Sequence, residues 1–81
     1  MKPISELHKV FADTFDIGMD TDFDSLEYRG IPKWDSAAHM RLIAALENTF
    51  DVMFSTDQVL GMSSFIKAKE ILASHGIEFG A

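Results

Sequence analysis

The chain has no cysteine among its 81 residues, which excludes disulfide staples, thiol nucleophiles and cysteine-ligated zinc together. Stability must come from packing, and seven Phe, five Met and many Leu, Ile and Val can supply it. No run of about eighteen apolar residues occurs, and no apolar leader follows Met1, Lys2 and Pro3. The expectation is a cytoplasmic monomer with no membrane insertion. Bases are scarce, seven against thirteen acids for a formal net charge of −6, which repels phosphate backbones and argues against nucleic acid as a partner. Basic partners, drawn in by steering, are the natural counterpart. So short a chain reads as one domain over residues 1–81 that buries only about 60% of its unfolded surface. One modest core fits, and a walled active site does not, so a non-catalytic role is expected.

The apolar residues that are present fall into helical stripes. Ile4, Leu7, Val10, Phe11 and Phe15 recur at helical spacing, with Pro3 suited to a first turn and Gly18 breaking the pattern. A second stripe runs from Ser36 to Phe50 through His39, Leu42, Ile43 and Leu46 in a segment rich in good helix formers. Ser55 or Thr56 can cap a brief helix over Asp57 to Leu60 that Gly61 would end. Ser63 or Ser64 then caps a last helix whose buried side draws on Phe65, Ile66, Ala68, Ile71 and Leu72, with Gly76 at its stop. The fold class is all-α: three longer helices plus one short helix between the last two.

Between the first two stripes, Asp16 to Lys33 holds Gly18, Gly30 and Pro32 with Asp20, Asp22, Asp24 and Glu27. This reads as a long acidic loop pinned by Phe23, Leu26 and Tyr28, of a length that implies a function or a short helical turn inside it. The echo between Thr14-Phe15-Asp16-Ile17 and Thr49-Phe50-Asp51-Val52 is too short for a repeat. Shared mechanics explain it: Phe closes a stripe, Asp turns the chain out, and a β-branched residue re-enters the core.

Several motifs carry chemistry only on the surface. Asp20, Asp22 and Asp24 open like a calcium loop, but Ser25 and Ile31 stand where the motif needs Gly and Glu. A solvated acidic stretch with at most weak divalent-cation binding is the reading, and no metal site is expected. Ser36 and His39 could face one another on a helix, yet no orienting carboxylate or oxyanion loop accompanies them. His39 reads as a half-buried member of its stripe. What elementary electrostatics favours at Ser36 is a phosphate ester, because the first turn of a helix offers unpaired N–H groups and the positive end of the macrodipole.

Trp34-Asp35-Ser36, the helix that continues from His39 through Phe50 to Val52, Phe54-Ser55-Thr56-Asp57-Gln58 and Ser63-Ser64-Phe65 together resemble the acyl carrier protein family. The resemblance implies that Ser36 receives 4′-phosphopantetheine from coenzyme A, and that Asp35 sets the serine at the helix start. The reactive sulfur would then arrive on the arm, which accounts for the missing cysteines. It further implies a phosphopantetheinyl transferase and acyl-loading and acyl-transfer enzymes as partners. On the same resemblance Ala37, Met40, Arg41, Ala44 and Glu47 are the expected docking side, where an ordinary helix margin is the alternative. Two departures mark a specialised carrier for fatty-acid, lipid or polyketide biosynthesis. Ala37 stands where the family usually has Leu, and Glu47 is the lone acid between Asp35 and Asp51. An aminoacyl or peptidyl carrier remains open, as does a small helical interaction module in which Ser36 is only a cap. Cargo space lined by Leu46, Phe50, Phe54, Met62 or Ile71 is one expectation, and filling of that space by the same aromatics is the other.

Overall fold

The computed structural model describes residues 1–80. Its helices are α1 (Ile4–Phe15), α2 (Ser36–Phe50), α3 (Thr56–Gly61) and α4 (Phe65–Ser74). The chain is mostly helical, as the stripes imply, but not purely so. Two-residue strands β1 (Lys2–Pro3) and β2 (Phe79–Gly80) pair in parallel, with Lys2 opposite Phe79 and Pro3 opposite Gly80. The expected all-α class is corrected to that extent. Strands so short show no alternation of apolar and polar residues, so nothing in the pattern announces them. Pro3 consequently sits outside the first turn, in extended backbone at the N-cap position with no side-chain cap.

The starts and ends of α3 and α4 and the acidic loop resolve as the residue chemistry requires. Ser55 caps α3 with a complete capping box, its hydroxyl accepting from Gln58 N–H while the Gln58 side chain accepts from Ser55 N–H. Ser64, not Ser63, caps α4 by accepting from Lys67 N–H at 3.0 Å. Gly61 lies inside the last turn of α3 and Met62 ends it, whereas Gly76 takes a left-handed φ of 83° just past α4. The acidic loop contains a single 3-10 turn, Phe23–Ser25, whose Phe23 is buried.

The Thr-Phe-Asp echo turns out to be one helix ending used twice. Asp16 and Asp51 both adopt left-handed backbone, with φ of 55° and 54°. Each N–H bonds back to the carbonyl four residues earlier, Ala12 and Glu47 respectively. The next residue bonds to the same carbonyl, Ile17 N–H to Ala12 at 3.0 Å and Val52 N–H to Glu47 at 3.2 Å. Asp is among the few non-glycine residues that tolerate this conformation.

One core gathers both stripes. Leu7, Phe11, Trp34, Ala38, Leu42, Leu46, Met62, Phe65, Ala68 and Leu72 are fully buried, and α1 lies principally against α2. Phe11 is its hub, with edge-to-face rings from Phe15, Trp34 and Phe65 at 5.9, 5.7 and 4.9 Å. Ile66 departs from expectation: it is 38% exposed. Phe65, Ala68 and Leu72 already fill the inward positions at three- and four-residue spacing, which turns Ile66 to the flank. Of the residues proposed to line a cargo space, Leu46, Phe50 and Met62 are packed into this core, with Phe54 and Ile71 partly buried against it.

The repeated helix ending makes a stability prediction. Asp51→Val forces a β-branched side chain into left-handed backbone and is expected to cost about 1–2 kcal/mol in a denaturant titration, while Asp51→Gly is neutral or stabilising. Equal losses for both variants would show that the carboxylate, not the backbone geometry, matters at this position.

Candidate functional site

Trp34 is fully buried, and its burial determines what its neighbours can do. The indole N–H donates to His39 Nδ1 at 3.0 Å. That leaves the histidine proton on Nε2, where it reaches the Val59 carbonyl at 2.9 Å. A residue of the acidic loop's end, a residue of α2 and the backbone of α3 are thereby joined in one chain of hydrogen bonds. Both ring nitrogens of His39 are committed, so the histidine has none left for Ser36.

The chain leaves the buried Trp34 and reaches the surface within one residue. Asp35, extended with φ of −101° and ψ of −174°, caps α2 by accepting from Ala38 N–H at 2.9 Å. Ser36 is the first residue of the helix and is exposed. Further along α2, Ala37, Met40, Arg41 and Ala44 are exposed too, with Met40 at 58%. Glu47 is different. It is half-buried, and its carboxylate accepts from Phe54 N–H at 3.0 Å, bracing the connection into α3.

Two partners of Ser36 come from the loop, and no sequence signal pairs them with it. The Tyr28 hydroxyl lies 2.8 Å from Ser36 Oγ, and an Arg29 guanidinium nitrogen lies 3.5 Å from the same oxygen. Loop residues 29–34 fold back to bring them there. Arg29 N–H donates to the Trp34 carbonyl at 3.0 Å, and Gly30 N–H to the Glu27 carbonyl at 2.8 Å. The same stretch is tied to the start of α4, where Tyr28 N–H bonds the Ser63 carbonyl and Phe65 N–H bonds the Leu26 carbonyl. In the sequence Tyr28 and Arg29 merely precede Gly30 and Pro32, which mark a turn without showing where it leads.

Beside this cluster a small cleft of about 130 Å³ is lined by Tyr28, His39, Leu60, Met62 and Ser63. Leu60, 77% exposed, stands at its rim. Among the described residues, no group of three or more His, Asp and Glu is placed to hold a metal ion, and Asp20, Asp22 and Asp24 are all exposed. Among the described residues, no helix is long and apolar enough to cross a membrane. Comparison of the chain with family models, with curated proteins and with solved structures finds no match. The functional reading therefore rests on the residues themselves.

The cluster has an electrostatic signature. The Ser36 hydroxyl, and after it Arg29, stabilises the Tyr28 phenolate and holds the phenol below its ordinary value, while the Arg29 guanidinium is held above its own by its contact with Tyr28. A depressed acid stabilises the fold only where it is ionised, so this contribution belongs to alkaline pH and is lost as pH falls through the phenol's titration. Neutral-pH stability is untouched by it. Because Tyr28 is the one tyrosine, its phenolate absorbance reports the cluster directly. Ser36→Ala and Arg29→Gln are each expected to move that titration to higher pH. Lys33→Gln, whose lysine is occupied with the Asp16 carbonyl, is expected to leave it in place. An unmoved titration in Ser36→Ala would mean that the Tyr28–Ser36 contact is absent in solution.

Proposed function

We propose that the chain is a carrier of the phosphopantetheine type, with the prosthetic arm esterified to Ser36. The observation that carries the reading is the exposed Ser36 hydroxyl on the first residue of α2, beside the Asp35 cap. The helix order, with a short α3 before the last helix, agrees with a bundle of the acyl carrier kind.

The residues present fit such a group. Ser36 offers the ester oxygen at an accessible position, Arg29 brings a cation to that oxygen, and the ground around it is open. When bound, the arm supplies the thiol that this cysteine-free chain lacks, and with it the capacity to hold acyl groups as thioesters. The chain's own part is presentation. Trp34 anchors the segment, Asp35 starts the helix, and Tyr28 orients the Ser36 hydroxyl. Attachment would join Ser36 Oγ to the phosphorus of the pantetheine phosphate and break the pyrophosphate bond of coenzyme A, with adenosine 3′,5′-bisphosphate as the leaving group. The hydroxyl proton passes to a base of the transferase, since His39 is committed elsewhere and a phenol held below its ordinary value is a weak base.

Ala37, Met40, Arg41 and Ala44 form an exposed side of α2 that serves as the docking face for the transferase and for acyl-loading and acyl-transfer enzymes. Met40 supplies an adaptable apolar contact there. The cleft of about 130 Å³ lined by Tyr28 and His39 is small, which suits short or solvent-exposed cargo. The low acidity of that α2 face, where Arg41 is exposed and the Glu47 carboxylate is turned inward, favours aminoacyl or peptidyl loading as a second reading. Loading assays with amino acids against fatty acids separate the two.

Incubation with coenzyme A and a broad phosphopantetheinyl transferase is expected to add the mass of one arm to the wild type and nothing to Ser36→Ala. An unchanged wild-type mass, or an equal gain in Ser36→Ala, would overturn the proposal. In the latter variant the fold is expected to survive, because Asp35 and not Ser36 caps the helix.

A further inference from the structure

Among the described residues, three non-glycine positions have left-handed backbone: Asp16, Arg29 and Asp51. The two aspartates end helices. Arg29, with φ of 62°, ends none, and it stands directly before Gly30, a residue type that adopts such backbone freely. An arginine kept in an unfavourable conformation beside a glycine indicates that its side chain is needed where that conformation sends it.

Its guanidinium goes to Ser36. One nitrogen lies 3.5 Å from Oγ, and the guanidinium carbon sits 5.4 Å from the centre of the Tyr28 ring. Among the described residues Lys9, Lys33 and Lys67 have carboxylate partners, and Arg29 has no ion pair. Lys2, Arg41 and Lys69 also lack an ion pair among the described residues, but Arg29 is the one whose side chain bonds the Ser36 oxygen, where an ester would place an anion. Tyr28, 2.8 Å from the same oxygen, supplies a second donor whose partner changes once Oγ is esterified.

We propose that Arg29 and Tyr28 are positioning residues that clamp the phosphate of the ester on Ser36. Arg29 takes the charge through its guanidinium N–H groups, and the Tyr28 hydroxyl donates to a non-bridging phosphate oxygen. The inference rests on the carrier reading of Ser36. Its chemistry is that of arginine with phosphate, where a planar fork of donors outperforms the point charge of lysine. Esterification removes the hydroxyl that stabilises the Tyr28 phenolate and places an anion beside it, so both changes favour the protonated, donating phenol.

The test uses full-length protein loaded with coenzyme A and transferase. Phosphorus NMR of the loaded wild type, Arg29→Gln, Arg29→Lys, Tyr28→Phe and Lys33→Gln is read together with the Tyr28 phenolate titration before and after loading. The clamp predicts a shifted phosphorus resonance in Arg29→Gln and in Tyr28→Phe, a smaller shift in Arg29→Lys, and none in Lys33→Gln. It also predicts that loading moves the wild-type Tyr28 titration to higher pH, and that the loaded Arg29→Gln protein titrates higher still. A wild type that gains no arm overturns the carrier reading and the clamp with it. An arm on Ser36 with identical resonances in wild type and Arg29→Gln, or with an unmoved Tyr28 titration, overturns the clamp alone.

Discussion

Burial of Trp34 is the constraint on which the rest of the molecule depends. Its indole is fully buried between Phe11 and Phe15, with ring centres 5.7 and 4.9 Å away. A tryptophan removes about 150–250 Å² from water, about 4–6 kcal/mol by area. The buried N–H must also be paired, and His39 does this while holding the α3 backbone through its other nitrogen. An exposed hydrogen bond such as Tyr28 to Ser36 is weak beside these terms. The order of cause therefore runs outward: the indole anchors the loop end, the anchored loop places Asp35, and the cap starts the helix on Ser36.

The surface built on this anchor separates its charges. Acids crowd the loop at Asp20, Asp22, Asp24 and Glu27, all exposed. The two arginines lie elsewhere: Arg29 bonds the Ser36 oxygen, and Arg41 is exposed further along α2. Glu47, the one acid within α2, turns inward to Phe54. Past Asp35, the helix that starts on Ser36 carries no acid until Glu47, so the face leading away from the serine is low in negative charge. That suits an attached phosphate, and it suits partners that meet α2 through apolar contact more than through a basic patch.

Helix positions were legible because they follow from local rules. The apolar stripes place α1 and α2 at Ile4–Phe15 and Ser36–Phe50, and the serines that cap α3 and α4 announce themselves by type. The Thr-Phe-Asp echo was legible as mechanics as well, since one backbone solution serves both helix ends. Features that depend on distant pairing were not. Strands of two residues carry no pattern, and Ile66 looks apolar enough to bury until Phe65 is seen to occupy the inward position. The same divide runs through the candidate site. Asp35 and Ser36 can be read from their place before a stripe, whereas Tyr28 and Arg29 reach Ser36 only through a fold-back of the loop around a left-handed arginine. Glu47 could be read as a surface acid, and only the path of the α2–α3 connection shows what its carboxylate holds.

Covalent loading of Ser36 is the role proposed for this scaffold. Its most direct test is fragmentation mass spectrometry of the protein isolated from the cells that make it. The account predicts a 4′-phosphopantetheine group, free or acylated, on the peptide containing Ser36. Finding that peptide wholly unmodified, or the arm on another residue, would contradict it.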